Sequence, residues 1–182
     1  MTRRDEILQA TLELIPQHGL SGLRISHIAE QANCSPGIIY HYFESKDEII
    51  QSLGAMVSAE FGRSLQVDYL LTLTPFERLK QGWLNTFTYF TTYPQKTIFL
   101  EQYKNSPYHT EEAWGPELEK LVQAVSLDIA NGHLKDFPIT VLYNMTINVA
   151  ISLAKQVIRG QLVADETMLD NIATASCQAI MV

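Results

Sequence analysis

Residues 24–49 read RISHIAEQANCSPGIIYHYFESKDEI, and this stretch decides the fold. Ile25, Ile28 and Ala29 recur at helical spacing, which predicts a short helix with one apolar face. Asn33 follows directly, and asparagine adopts the left-handed backbone conformation more readily than most residues. The pattern therefore predicts a helix that ends in a tight turn.

A second short helix is predicted to begin immediately after this turn. Ser35 is a suitable N-cap residue, and Pro36 stands at the first helical position, where its missing N–H has no cost. Ile39 and Phe43 lie four residues apart and face one way, so the intervening rings are left on the outside. Helix, tight turn and helix at this spacing predict a helix-turn-helix whose second helix enters a DNA major groove. The outward rings belong to Tyr40, His41 and Tyr42.

Many residues of this stretch match a known pattern at fixed offsets, over roughly the first quarter of the chain. The matching residues are Ile28, Ala29, Ala32, Asn33, Cys34, Ser35, Gly37, Tyr40, Tyr42, Phe43 and Lys46, with Ile49 or Ile50 as the closing apolar residue. The stretch resembles the DNA-binding motif of TetR-family transcriptional regulators. Cys34 stands where that family usually has valine, and we interpret it as a buried thiol that behaves as a small apolar group.

The resemblance implies roles for individual residues. Gly37 lets the second helix approach the sugar-phosphate strand, Tyr40 and Tyr42 donate hydroxyls to phosphates, and Lys46 adds a charge contact. In that family the residue at position 24 is usually a serine or threonine whose hydroxyl caps the helix near a phosphate, whereas this chain has the cation Arg24 there. The base-facing positions are the variable ones, and Pro36 removes one polar contact that the family often makes. The predicted DNA-binding residues are Arg24, Ser35, Pro36, Gly37, Ile38, Tyr40, His41, Tyr42 and Lys46.

The composition is that of a globular protein: 182 residues, of which 46% are hydrophobic and 18% charged. The N-terminus leads into an amphipathic helix instead of an apolar signal segment, and no run of about 18 apolar residues predicts a membrane span. Cys34 and Cys177 lie too far apart in sequence to suggest a disulfide framework. We therefore expect a cytoplasmic protein.

The charge argues against a nucleic-acid binder that ignores sequence, because such proteins are basic. The formal net charge is −7, and residues 1–48 carry four lysines and arginines against seven aspartates and glutamates. The few cations must therefore face the DNA while the acids point away. We expect weak non-specific affinity and a strong dependence on positioned hydrogen bonds.

The whole chain predicts an all-α fold of about nine helices, with no competing strand pattern. A three-helix helix-turn-helix domain is expected in residues 1–47, and an effector-binding and dimerisation domain in residues 48–182. The predicted helices span about 3–18, 25–31, a short helix that begins at 36, 46 to 61 or 65, 75–92, 95–105, 116–131, 138–159 and 165–182, and residues 62–74 are expected to be a frayed helix end and a loop.

The last two predicted helices carry more apolar surface than one protomer needs, and many of their residues are small. Two such helices can pair with their two-fold mates as a four-helix bundle, and the resembling family dimerises in this way. Closure of the protomer core is the alternative. The predicted dimer interface comprises Leu142, Val149, Ile158, Leu169, Ile172, Ala175 and Ala179.

Aromatic residues are concentrated in the middle of the chain, between Trp83 and Trp114. Each ring could be ordinary core, but together they suggest an apolar cavity with a few polar groups. The resembling family binds small effectors in this region, so a small, largely apolar or aromatic effector is expected. The predicted ligand-binding residues are Met56, Phe61, Phe87, Phe90, Phe99, Glu101, Tyr103, Tyr143, Asn144, Ile147 and Asn148.

The sequence contains no local signature of an enzyme: no Gly-rich phosphate loop and no recognisable nucleophile with its base. We expect no cofactor and no metal, because the His109–Glu112 cluster lacks a second pair of ligands. The expected function is sequence-specific transcriptional regulation by a homodimeric repressor, which a small effector releases from a near-palindromic operator. Two alternatives stay open, namely a helical small-molecule-binding protein and a transcriptional activator.

Overall fold

The structure is a computed structural model that describes residues 2–109 and 116–182. Within these ranges the chain is all-α, and its only extended pairing is an isolated antiparallel bridge between Leu134 and Met181. The predicted fold class is therefore confirmed. The helices are α1 (Arg3–Gly22), α2 (Ile25–Gln31), α3 (Pro36–Tyr42), α4 (Lys46–Ser64), α5 (Val67–Leu70), α6 (Pro75–Thr92), α7 (Pro94–Lys104), α8 (Pro116–Ala130), α9 (Ile139–Met145), α10 (Ile147–Ile158) and α11 (Glu166–Gln178).

Helix α1 begins with a capping box. The Thr2 hydroxyl accepts a hydrogen bond from the Asp5 N–H at 3.2 Å, and the Thr2 N–H donates to Asp5 Oδ2 at 2.8 Å. These two bonds from Thr2 stabilise the carboxylate and lower the pKa of Asp5. The regular part of the helix ends at Gly19, whose φ of 63° only glycine adopts without strain, close to the predicted helix end at residue 18.

The chain divides into two compact units, Met1–Ser58 with Pro94–Ala113, and Ala59–Tyr93 with Trp114–Val182. In the first unit α7 packs against α1, and Phe99 and Tyr103 are buried in its core. The Leu20 N–H donates to Gln102 Oε1 at 2.9 Å, which fixes the chain just after Gly19. Because α7 shares this core, the first compact unit does not end at residue 47. The domain boundary predicted between residues 47 and 48 stays a prediction.

Helix α4 and helix α7 approach each other closely inside the first unit. A β-carbon placed on Gly54 would lie 2.5 Å from Cζ of Tyr103, a distance that no side chain tolerates. The Tyr103 ring also stacks on Phe99, with 5.2 Å between the ring centroids, and meets the edge of His109 at 5.4 Å. Gly54 therefore permits a contact that any other residue would obstruct.

In the second unit α6 packs against α10 and α11. Trp83 on α6 is fully buried, and Phe61 packs against Tyr89 and Phe90 with ring centroids 5.2 and 5.1 Å apart. Burial raises the pKa of the Tyr89 hydroxyl, because its phenolate would lose the hydration that stabilises it. Burial likewise raises the pKa of the Cys177 thiol on α11 to about 12.

A buried ion pair joins α6 to the C-terminal end of α8. The Arg78 guanidinium donates through Nη2 to Asp128 Oδ2, and only 11% and 8% of the two side chains are exposed. Arg78 Nη1 also donates to the Leu73 carbonyl at 3.3 Å, and His133 Nδ1 lies 3.4 Å from Asp128 Oδ1. Arg78 and Asp128 are therefore both largely removed from solvent, whereas 51% of the His133 side chain is exposed.

Two details of the predicted helices are wrong. The helix predicted over 138–159 is interrupted at Thr146, whose φ and ψ are −122° and −86°. The Thr146 hydroxyl donates to the Leu142 carbonyl at 2.7 Å, a bond to the preceding turn that often bends helices. The stretch after α4, expected to be a frayed end and loop, forms the short helix α5 after Gln66 adopts a left-handed conformation with φ 53°.

Within the described ranges, residues 139–158 alone form a helical stretch that is long and apolar enough to cross a membrane. Length and composition are weak evidence, and the break at Thr146 divides the stretch into two shorter helices. Most of its apolar residues are half-buried in the protomer, and its exposed residues are mostly polar: Thr140, Val141, Asn144, Asn148 and Ser152.

Candidate nucleic-acid interface

The turn between α2 and α3 is built as the sequence predicts. Asn33 has a φ of 49°, and its N–H donates to the Glu30 carbonyl at 3.0 Å while the Cys34 N–H donates to the Ala29 carbonyl at 2.8 Å. Pro36 is the first residue of α3, as predicted. Ser35 occupies the N-cap position with an extended backbone, but its side chain makes no capping hydrogen bond.

Helix α3 is held by two apolar residues and leaves its other side exposed. Ile39 and Phe43 are buried in the core of the first unit. Ile38, Tyr40 and Tyr42 are 40%, 58% and 38% exposed, and the exposed residue His41 meets the Tyr42 ring edge to face, with 5.0 Å between the centroids. The rings predicted to read DNA therefore stand on the surface.

Gly37 lies on the same exposed side, and nothing inside the protein requires a glycine there. A β-carbon at this position would meet only Ser35 Oγ, at 3.8 Å, which is an ordinary van der Waals distance. The backbone of Gly37 is also not in the positive-φ region that favours glycine. The missing side chain therefore leaves space on the outer surface of α3 without serving the fold.

Most of the cations in residues 2–58 take part in contacts within the first unit. Arg3 pairs with Glu6 at 2.5 Å and donates to the Asn33 carbonyl at 2.9 Å, and the bond to Glu6 raises the pKa of Arg3. Arg4 donates to Ser52 Oγ at 2.8 Å, and its guanidinium carbon lies 4.8 Å from the centroid of the Phe43 ring. The contacts to Asn33 and Ser52 could not be predicted from the sequence, because these residues lie 30 and 48 positions away.

The remaining two cations were predicted to contact phosphates. Lys46 is half-buried, and its ammonium donates to the Leu23 carbonyl at 3.4 Å, which is a long hydrogen bond. Arg24 is the exposed N-cap residue of α2 and makes no side-chain capping bond. Close to the C-terminal end of α3, the acidic residues Glu44 and Asp47 are exposed on either side of Lys46.

The predicted effector-binding residues are divided between the two units. Met56, Phe99 and Tyr103 pack in or against the core of the first unit. Glu101 also belongs to that unit and is half-buried. The others lie in the second unit: Phe61, Phe87 and Phe90 are buried, Tyr143 and Ile147 are half-buried, and Asn144 and Asn148 are exposed.

An open groove of about 280 Å³ in the second unit contains none of these predicted residues. Four of its six lining residues are charged or polar and only Tyr69 is aromatic, unlike the aromatic cavity that the sequence suggested. The groove is lined by Arg63, Gln66, Val67, Asp68, Tyr69 and Glu117.

The predicted dimer residues retain accessible surface, with one exception. Leu142 is buried against Leu134 and Ile180 inside the protomer, so little of its surface is left for a partner. The half-buried members of the set are Val149, Ile158, Leu169 and Ile172, and the exposed members are Ala175 and Ala179.

Both cysteines are free thiols, Cys34 half-buried and Cys177 buried. The described residues hold no group of three or more histidine, cysteine, aspartate or glutamate side chains able to bind a metal ion. Of the His109–Glu112 cluster, only His109 belongs to the described residues. Trp114, at the end of the aromatic region, also lies outside them.

The all-α fold and the exposed second helix of its helix-turn-helix define the class of protein, and comparison with known proteins agrees. The family profile "Bacterial regulatory proteins, tetR family" matches residues 7–53, and "Tetracyclin repressor-like, C-terminal domain" matches residues 75–181. The second profile alone covers more than half of the chain. The chain therefore belongs to the TetR family of bacterial regulatory proteins.

Individual relatives are similar over part of their length. An uncharacterized HTH-type transcriptional regulator of Haemophilus influenzae is 32% identical over 103 residues, which are 57% of this chain and 55% of the relative. The HTH-type transcriptional regulator BetI of Brucella abortus is 33% identical over 96 residues, 53% of this chain and 48% of BetI. The matched region thus spans about half the length of these relatives.

Solved structures share the fold over nearly the whole chain. The crystal structure of a TetR family transcription regulator from Marinobacter aquaeolei has a TM-score of 0.89 at 21% identity and covers 98% of this chain and 95% of that one. A TetR-family transcriptional regulator of Haemophilus influenzae has a TM-score of 0.86 at 24% identity, with coverage of 99% and 97%.

Proposed function

We propose that this chain is a sequence-specific DNA-binding transcriptional regulator, located in the cytoplasm, that acts as a homodimeric repressor. The observation that carries the proposal is the outer surface of α3, where Tyr40, His41 and Tyr42 are exposed beside a glycine that the fold does not need. Two copies of this helix about 34–36 Å apart would enter successive major grooves of a near-palindromic operator.

Each residue of α3 has a distinct chemical role in this proposal. The hydroxyls of Tyr40 and Tyr42 donate to phosphates, which positions the helix without reading sequence. His41 donates to or accepts from a base edge, and Ile38 makes apolar contact best suited to a thymine methyl group. Arg24 and Lys46 supply positive charge to the phosphate strand, and Ser35 and Pro36 lie at the end of α3 that enters the groove.

The first test separates the roles of these side chains in binding to short duplexes. Tyr40→Phe and Lys46→Ala are expected to weaken binding to all sequences alike, because both remove contacts to the backbone. His41→Ala is expected to change which base is preferred, at a cost of about 1–3 kcal/mol for the cognate base. Fluorescence anisotropy against the cognate site and single-base variants measures both effects, and unchanged affinity in all three variants would refute the assignment of α3.

Gly37→Ala separates folding from DNA binding. Alanine has a higher helix propensity than glycine and meets no close neighbour here, so thermal unfolding should show a gain of about 0.5–1 kcal/mol in stability. The added methyl group occupies the space reserved for the sugar-phosphate strand, so operator affinity should fall about tenfold or more, which is about 1.4 kcal/mol. A variant that is more stable and binds DNA as tightly as the wild type would contradict the proposed interface.

Dimerisation is supported by apolar residues of α10 and α11 that keep accessible surface on the protomer, among them the half-buried Val149, Ile158 and Leu169. Apolar patches of this kind are covered by a partner in most soluble proteins. Ala175 is exposed on α11, so Ala175→Glu leaves the protomer core intact but places a charge in the proposed interface. Sedimentation should show a monomer for this variant and a dimer for the control Ala55→Glu, which alters an exposed position on α4. A dimeric Ala175→Glu protein would move the interface elsewhere.

Release from the operator is proposed to follow the binding of a small, largely apolar or aromatic effector among the aromatic residues of the second unit. Phe61, Tyr89, Phe90 and Tyr93 form a cluster of contacting rings there. An effector can weaken DNA binding only if it binds the non-binding arrangement of the dimer more tightly than the DNA-bound one.

A further inference from the structure

The two arginines at the start of α1 contact both ends of the exposed helix α3. Nη2 of Arg3 donates to the Asn33 carbonyl at 2.9 Å, in the turn that precedes α3. The guanidinium carbon of Arg4 lies 4.8 Å from the centroid of the ring of Phe43, the residue directly after α3. All four residues belong to the first unit, so two neighbouring positions of the chain reach opposite ends of one helix.

Each guanidinium is itself held by a second partner. Nη1 of Arg3 pairs with Glu6 Oε2 at 2.5 Å, so the two ends of its planar fork bond to different groups. Nη2 of Arg4 donates to Ser52 Oγ on α4 at 2.8 Å while the cation contacts the Phe43 ring. Arg3 therefore connects α1 to the turn, and Arg4 connects α1 to α4 beside the end of α3.

Helix α3 has few means of fixing its own ends. It contains seven residues, and helices of this length are unstable in water without tertiary contacts. Ser35 makes no capping hydrogen bond, and Ile39 is the only buried residue within the helix. Contacts from α1 to the flanking residues Asn33 and Phe43 therefore restrict how far α3 can tilt or shift.

Accurate placement of α3 matters because the unit that carries it has few cations. Residues 2–58 contain four lysines and arginines against seven aspartates and glutamates, and two of the four cations are Arg3 and Arg4. Both donate hydrogen bonds inside the protein. Affinity for DNA must then depend on hydrogen bonds from α3, which form only when the helix is held in the correct position.

We propose that Arg3 and Arg4 are positioning residues that fix the turn before α3 and the residue after it, so that α3 is preorganised for DNA. The inference rests on the proposed function of α3, since otherwise the same contacts would serve the fold alone. The two cations act through Asn33 and Phe43 and not through phosphates. Lysine keeps the charge of arginine but lacks its planar fork, so charge and position can be separated by substitution.

Fluorescence anisotropy measures the effect on DNA binding, with a duplex that the wild type selects from a random-sequence library. Arg3→Gln and Arg4→Gln should each weaken binding about three- to tenfold, because each loses a hydrogen bond or a ring contact that places α3. The slope of log affinity against log salt should not change, because the number of neutralised phosphates stays the same. Arg3→Lys and Arg4→Lys should bind as weakly as the glutamine variants.

Removal of a partner of Arg4 provides a test that leaves every cation in place. Ser52→Ala should weaken binding, because Arg4 loses its hydrogen bond to α4. An arginine whose role is to contact phosphate would instead be freed by this substitution, and binding would be unchanged or tighter. Ser58→Ala is the matched control, because Ser58 is half-buried on the same helix and has no arginine partner among the described residues.

Hydrogen exchange without DNA tests the positioning itself and does not depend on the proposed function. Backbone amides of residues 36–43 should exchange about threefold or more faster in Arg3→Lys, Arg4→Lys and Ser52→Ala than in the wild type, because local opening becomes easier. Mass spectrometry of the peptide that covers α3 measures this rate. Peptides from α6 in the second unit should exchange as in the wild type, which separates local loosening from general destabilisation.

The outcomes distinguish this proposal from the proposed function. Unchanged exchange in α3, wild-type affinity in the two lysine variants, or a salt slope reduced by about one in either glutamine variant would overturn the positioning role. Faster exchange in α3, together with a wild type that selects no duplex or a His41→Ala protein that binds as the wild type does, would support the positioning of α3 and refute its function in reading DNA.

Discussion

Replacing Asp128 by alanine is expected to lower the free energy of unfolding by about 3–5 kcal/mol, because it leaves a buried guanidinium without its counter-ion. Arg78 is only 11% exposed, and its Nε already has no hydrogen-bond partner among the described residues. The Leu73 carbonyl, 3.3 Å from Nη1, is a neutral acceptor and cannot replace a carboxylate. Urea unfolding followed by circular dichroism measures the change.

A second ion pair of the same unit provides the matched control. Lys80 and Asp170 lie 2.6 Å apart, but 57% of the Asp170 side chain is exposed. Asp170→Ala should therefore change stability by at most about 1 kcal/mol. The double variant Arg78→Met with Asp128→Leu should recover much of the loss, since removing both charges also removes the desolvation cost. If Asp128→Ala costs no more than Asp170→Ala, the buried pair does not stabilise the junction of α6 and α8.

Gly54→Ala is expected to destabilise the first unit by about 1–3 kcal/mol, although alanine favours helices. The new β-carbon would lie 2.5 Å from Cζ of Tyr103 and 2.7 Å from its hydroxyl oxygen. Tyr103 cannot swing away, because it is 2% exposed and lies between Phe99 and His109. Helix α7 must therefore shift away from α4, and the core around Phe99 loosens.

Gly82, a buried helical glycine of α6, separates this clash from a general effect of the substitution. A β-carbon there would meet Leu70 Cδ1 at 3.7 Å, which is ordinary contact, so Gly82→Ala should stabilise by up to about 1 kcal/mol. Gly54→Ala should cost less stability in a Tyr103→Leu background than in the wild type, because the ring that it clashes with is gone. A double-mutant cycle detects this coupling. Additive effects would show that the ring does not limit position 54.

The local parts of the fold could be predicted from the sequence because their causes are local. The turn at Asn33, the start of α3 at Pro36 and the break in α1 at Gly19 each depend on a residue and its near neighbours. The break at Thr146 was missed because an uninterrupted apolar pattern predicts a single helix. A hydroxyl that bonds back to Leu142 does not alter that pattern.

Long-range packing was not predictable in the same way. Nothing in the spacing of Phe99 and Tyr103 indicates that α7 shares a core with α1 instead of with the helices that precede it. The partners of Arg3 and Arg4 are Asn33 and Ser52, which are 30 and 48 residues away. The exposed face of α3 is easier to predict, because the spacing of the apolar residues on this helix determines which side is buried and which side is exposed.

The inclusion of α7 in the first unit has a practical consequence for protein engineering. A fragment cut after residue 58 would lose Phe99, Tyr103 and Gln102, and would expose the apolar surface that they cover. Chimeras that transfer the reading helix of this protein to another regulator should therefore transplant residues 2–58 together with a segment equivalent to α7. Alternatively, they should exchange only the outward residues of α3, which leaves the recipient's own core unchanged.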